Sequence, residues 1–84
     1  MATIEQRVKA VTGRLLEIDA DSIKNEDDFS VDLGAESIQS IELVAMFEEE
    51  FGIEMEEEAA LSVNTVGKAV NFIGEVCKEQ GVEA

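Results

Sequence analysis

One hydroxyl in this chain stands where it can take part in chemistry. The stretch Asp32-Leu33-Gly34-Ala35-Glu36-Ser37-Ile38 is a glycine-bearing loop that ends in Ser37, and an apolar-periodic segment starts directly after it. A serine that opens a helix usually acts as an N-cap, accepting from the free N–H groups of the first turn. The same position suits a covalently attached phosphodiester, because those N–H groups and the helix dipole favour an anion. Gly34 allows a tight turn ahead of the serine and leaves the hydroxyl open to a modifying enzyme. Ser37 is therefore read as a candidate covalent attachment point.

Chemistry performed by the chain alone is poorly supplied. There is no His, so the commonest general base and metal ligand is missing. Cys77 is the only cysteine, so it forms neither an internal disulfide nor a thiolate cage; its spacing makes it a small core residue on a helix face. No nucleophile is paired with a base, and no glycine-rich phosphate cradle is visible. At 84 residues the chain reads as one domain, 1–84, too small for a deep catalytic cleft and a supporting core together. It is not expected to be an enzyme, and neither catalytic residues nor metal ligands are assigned.

The elements that must hold Ser37 are helical. Ile4, Val8, Val11 and Leu15 share one face of a helix over residues 3–16, with Thr3 and Gln6 forming a capping box. Gly13 weakens the end of that pattern. Residues 17–36 form a long first loop, which Ile18, Ile23, Phe29, Val31 and Leu33 are expected to pin to the core. Asp21-Ser22-Ile23 can start a short helical turn within it.

Residues 37–51 are the strongest helix. Leu43, Phe47 and Phe51 form a core stripe, and Gly52 stands at the left-handed C-cap position. A second apolar set, Ile38, Ile41 and Ala45, lies on another side, as in a helix that is deeply buried or binds a partner. Residues 56–62 form a short acidic turn. Residues 65–80 are the last helix, capped by Asn64 or Thr65, packed through Val66, Ala69, Val70, Ile73, Val76 and Cys77, and ended by Gly81. No strand pattern persists. The fold expected is all-α: a small acidic four-helix bundle of three main helices plus one short helix.

The formal net charge is −14, and it is unevenly placed. All six basic residues lie outside positions 25–67, while that segment carries thirteen acids. Glu48, Glu49 and Glu50 sit in the last turns of the central helix, where the dipole disfavours each exposed anion by about 0.3–1 kcal/mol. Nothing cationic nearby in sequence offsets them. The acidic segment is read as a docking face for a basic partner, and the charge argues against nucleic acid and anionic membranes. No run approaches the roughly 18 apolar residues of a membrane span, and no secretory leader is visible, so the expected compartment is the cytoplasm.

These residues together resemble the acyl carrier proteins. The resemblance rests on Asp32-Leu33-Gly34-Ala35-Glu36-Ser37-Ile38, then Ser40-Ile41-Glu42-Leu43-Val44 and Phe47-Glu48-Glu49-Glu50-Phe51-Gly52-Ile53. Thr3-Ile4-Glu5, Arg7-Val8, Phe29, Thr65-Val66 and Phe72-Ile73 extend it over nearly the whole chain. It implies a four-helix bundle whose Ser37 carries 4'-phosphopantetheine, donated from coenzyme A by a phosphopantetheinyl transferase. It further implies a monomeric carrier of acyl thioesters, presented to acyl-transfer and chain-elongation enzymes of fatty-acid, lipid or polyketide synthesis. By matching position, Glu36, Ile38, Ile41, Glu42, Ala45, Glu48 and Glu49 are the residues that face basic patches on those enzymes. Leu43 and Phe47 are the residues that line the acyl-holding interior.

The chain departs from the family pattern at five places. Glu36 replaces an Asp, Ile38 a Leu, Ala45 a larger apolar residue, Phe47 a Leu and Glu56 a Pro, which together suggest a specialised carrier. Two other readings compete. One is an acidic docking subunit that is never modified. The other is a small divalent-cation-binding protein, although Asp27 to Gly34 lacks the alternating ligands and central glycine of an EF-hand loop.

Overall fold

A computed structural model describes residues 2–84. The regular elements of the described chain are all helices: α1 (Ile4–Leu16), α2 (Ser37–Phe51), α3 (Glu57–Leu61) and α4 (Val66–Glu79), with a 3₁₀ turn at Ala20–Ser22; the three long ones stand where the periodicity predicts them. The 3₁₀ turn begins one residue before the expected Asp21. No helix among the described residues is long and apolar enough to cross a membrane.

Local sequence explains where each helix starts. Thr3 caps α1: its side chain accepts from the Gln6 N–H, and Gln6 Oε1 accepts from the Thr3 N–H at 2.9 Å. Thr65, not Asn64, caps α4 by accepting from the Lys68 N–H. The end of α1 is not glycine-capped. Glu17 takes the left-handed conformation (φ 57°), and both Glu17 and Ile18 N–H groups donate to Gly13 O. Gly13 is needed for space here: a Cβ on it would stand 2.7 Å from Ile18 O. The residue that weakens α1 in sequence therefore lets the long loop fold back across the helix end.

The core lies where α1, α2 and α4 meet. Val8 and Val11 from α1, Leu43, Phe47 and Phe51 from α2, and Val66, Ile73 and Cys77 from α4 are all buried. Thr12 is buried with them, its hydroxyl donating to Val8 O within the helix. On the surface, Lys9 and Asn25 both reach Glu5; the Asn25 amide first, and then Lys9, hold its carboxyl below the usual range.

The long loop is pinned by Ile23, Phe29 and Ala35, which are buried, and by partly buried Ile18 and Leu33. Val31 is the exception: it is 82% exposed, so its expected place against the core is corrected. The loop is also bonded to the start of α4. Asp27 O and Asn25 O accept from the Val66 and Gly67 N–H groups, which no helical carbonyl can serve, and the Phe29 N–H donates to Asn64 O.

Candidate functional site

The approach to Ser37 is built from aspartates. Asp28 Oδ1 accepts from the Ser30 and Val31 N–H groups, while Asp32 Oδ2 accepts from the Asp28 N–H at 2.7 Å. These short-range bonds wind residues 28–34 into a compact turn. Gly34 leaves that turn with φ 75°, a conformation that costs an L-residue energy and glycine little. Ala35 is then driven into the core, its N–H donating to Phe29 O at 2.8 Å. Phe29 is itself held against the α4 start, so the serine's position is set by the loop, α2 and α4 together.

Glu36, not Ser37, is the N-cap residue of α2, with extended backbone at φ −84° and ψ 166°. Its N–H donates to Gln39 Oε1 at 2.9 Å, half of the reciprocal arrangement seen in capping boxes. The signal was present in the sequence, as a glutamine three residues beyond the cap. Ser37 is the first helical residue and is exposed. Among the described residues its hydroxyl has no hydrogen-bond partner, so the capping role that usually explains such a serine is not what it does. Ser40 is the residue whose N–H first bonds back, to Glu36 O at 2.9 Å. The N–H groups ahead of it have no helical acceptor and point toward the solvent end of α2.

The two-sided character of α2 is resolved geometrically. Leu43, Phe47 and Phe51 face the core, while Ile38 is 67% and Ile41 49% exposed. At about 100° per residue, Ile38, Ile41, Glu42, Ala45 and Glu49 fall on one continuous face, and Glu42, Ala45 and Glu49 are exposed on it. Glu36 is exposed just ahead of it.

The acidic triplet divides into three separate roles. Glu49 is exposed, but Glu48 is half-buried and its carboxylate accepts from the Met55 N–H at 2.8 Å, tying down the turn after α2. Glu50 pairs with Arg7 of α1 at 2.9 Å. The expectation that no cation offsets the triplet holds along the sequence but not in three dimensions.

Behind the exposed face, α2, α3 and α4 flank a half-open apolar pocket of about 60 Å³. Leu43 and Phe47 both line it, with Phe29, Phe72 and Ile73 opposite. Sequence reasoning missed Ser40 and Leu61, which also line it. Leu61 was read only as part of an acidic turn, and it is 40% exposed at the cavity wall. The lone thiol, Cys77, is buried on α4; burial pushes it up from its ordinary range, and the charge of Arg7 partly counters that.

Residues 6–73 match the family described as the phosphopantetheine attachment site. Over 73 residues the chain is 47% identical to an acyl carrier protein of Sinorhizobium fredii, a match that spans 87% of this chain and 94% of that protein. It is equally similar to the acyl carrier protein AcpP of Rhizobium meliloti, 47% identical over 73 residues with the same coverage.

Proposed function

The chain belongs to the acyl carrier protein family, and on that footing we propose that Ser37 Oγ is the atom to which its 4'-phosphopantetheine is attached. The protein is a carrier and not an enzyme, and it holds acyl intermediates for biosynthesis. The observation that carries the assignment to Ser37 is its exposed, unpartnered hydroxyl on the first turn of α2. The residues suit the group. Oγ is reachable from solvent, and the free N–H groups of the same turn favour the phosphodiester that attachment creates. The rigid turn from Asp28 to Gly34 presents the serine without a flexible tether.

In the attachment step Ser37 Oγ displaces adenosine bisphosphate from the pyrophosphate of coenzyme A. Its proton passes to a base that the transferase supplies. The bound group contributes a terminal thiol on a long arm, on which acyl groups ride as thioesters. Ile38, Ile41, Glu42, Ala45 and Glu49 form the face that docks onto biosynthetic enzymes and the transferase, with Glu36 beside the reacting serine. The apolar residues seat in a partner's socket, and the carboxylates meet its basic rim and raise the rate of encounter. Glu48 contributes charge to this face while bonding internally to Met55. Leu43 and Phe47 line the space an acyl group enters, in service of fatty-acid, lipid or polyketide synthesis. The buried thiol of Cys77 suits a reducing compartment such as the cytoplasm.

The test is modification followed by intact mass. The purified chain is incubated with coenzyme A, magnesium and a broad-specificity phosphopantetheinyl transferase. A gain of one phosphopantetheine is expected, and none for Ser37→Ala. No gain under conditions that modify a control carrier, or a gain that survives Ser37→Ala, overturns the assignment. The first of those results would favour an unmodified docking subunit.

A further inference from the structure

Four large apolar side chains among the described residues stand exposed: Val31, Ile38, Ile41 and Leu61. Val31 is the most exposed of them, and it alone belongs to the long loop. A single exposed apolar residue is ordinary, so its surroundings decide what it means. The other apolar residues that punctuate the loop, Ile18, Ile23, Phe29 and Leu33, are buried or partly buried. Val31 is also held where it stands. Its N–H donates to Asp28 Oδ1 at 2.9 Å, and Ser30 O accepts from the Gly34 N–H at 3.1 Å, closing the turn around it. A β-branched side chain on a fixed turn has little freedom left to lose on contact.

Val31 and Ser37 fall within one patch. The Asp32 and Gly34 N–H groups bond back four residues, as in a helical turn, which sets Val31 and Gly34 about 5–6 Å apart. From Gly34 to Ser37, three residues reach roughly 10 Å even when extended. Val31 therefore lies within about 16 Å of the serine. A protein–protein contact of ordinary size covers about 800 Å² on each partner, a disc of about 16 Å radius. Centred on Ser37, such a contact reaches Val31 on the loop side and Ile38, the next residue, on the helix side.

One class of partner has to cover that patch. Enzymes that act on the acyl group work at the far end of a long arm and can dock away from Ser37. The phosphopantetheinyl transferase cannot, because it brings the pyrophosphate of coenzyme A to bonding distance of Ser37 Oγ. Its surface there must be basic to hold that pyrophosphate. It meets exposed Asp32 and Glu36, in a segment, 25–67, that carries no basic residue. An apolar contact strengthens the grip without setting another anion beside the incoming phosphates. We propose that the transferase grips this chain on both sides of Ser37, with Val31 on the loop side and Ile38 on the helix side as its two apolar anchors. The proposal rests on attachment at Ser37, and its test separates the two.

KM and kcat of a broad-specificity phosphopantetheinyl transferase for the unmodified chain are measured at saturating coenzyme A, with intact mass as the readout. Val31→Ser is expected to raise KM about fivefold with kcat unchanged, as the loss of a partly buried valine contact would. Val31→Thr, which keeps the shape but adds a hydroxyl, should raise it less, and Val31→Ile should keep the wild-type value. All three should melt like the wild type, because the side chain is exposed. Each variant, once fully modified, is then charged from malonyl-coenzyme A by an acyltransferase, and that step is expected to be unchanged. A Val31→Ser KM within about twofold of wild type, a loss carried by kcat or by melting temperature instead, or an equal loss in the malonyl step overturns the anchor proposal alone. No mass gain by the wild type, or a gain that survives Ser37→Ala, overturns the Ser37 assignment and this proposal with it.

Discussion

Arg7 holds Glu50 by both its side chain and its backbone: Nε donates to the carboxylate at 2.9 Å, and an Nη group donates to the carbonyl oxygen at 2.8 Å. The same guanidinium lies 4.3 Å from the centroid of the Phe51 ring. One α1 side chain thus serves an orphan carbonyl, a carboxylate and an aromatic face at the end of α2, where a cation also complements the helix dipole.

Arg7→Ala is expected to destabilise the protein by about 1–2 kcal/mol, less than a buried pair would cost, because both side chains are partly solvated. Arg7→Lys should recover only part of the loss, since an ammonium cannot reproduce the fork. Urea unfolding with an unchanged slope would measure both. Equal midpoints for Arg7→Ala and wild type would show the contact to be idle.

The acidic residues of α2 should separate by role. Glu42→Lys and Glu49→Lys are expected to lower kcat/KM with the transferase roughly tenfold, with a weaker salt dependence and unchanged melting temperature. Glu48→Lys should also lose about 1–2 kcal/mol of stability, because the Met55 N–H loses its acceptor. A Glu48→Lys chain that melts like the wild type would remove that internal role.

Gly13→Ala presents opposing effects. Alanine gains about 1 kcal/mol in a helix interior, yet the new Cβ would meet Ile18 O at 2.7 Å and Ala20 N at 3.3 Å. Those are backbone atoms, so overpacking should win and leave a net loss of about 1–2 kcal/mol. Stabilisation in urea would mean that the loop after α1 moves aside freely.

Cys77 predicts a pH dependence. Its thiol is raised in the folded protein, chiefly by burial, so the folded state resists ionisation more than the unfolded chain does. Below the unfolded thiol's range, near about 8.5, both states are protonated and this site adds no slope. As pH rises through that range the unfolded chain loses its proton first, and stability must fall. Unfolding free energies of wild type and Cys77→Ala, compared at pH 7 and pH 10, should converge at the higher pH. The thiol should also react with disulfide reagents at pH 8 only as fast as the protein opens. Rapid stoichiometric labelling of the folded chain would contradict the burial.

Much of this protein is set by neighbours along the chain. Spacing by three and four residues placed the three main helices, Thr3 with Gln6 marked one start and Asn64 or Thr65 bracketed another, and Gly52 and Gly81 marked two ends, because periodicity and capping involve residues within one turn or so. The serine loop and the acidic face were visible for the same reason: Asp28, Asp32 and Gly34 act within a few residues, and Glu42 and Glu49 share a face with Ile38 and Ile41 by helix geometry alone. Tertiary structure decided what depends on partners far away in sequence. Glu50 met Arg7 from another helix, Gly13 made room for Ile18 and Ala20, Val31 turned outward while Phe29 and Ala35 turned in, and Ser40 came to line a half-open pocket flanked by α3 and α4. A local pattern states which side chains share a face. Whether that face meets a cation, a backbone or a void is fixed only when the other helices pack against it.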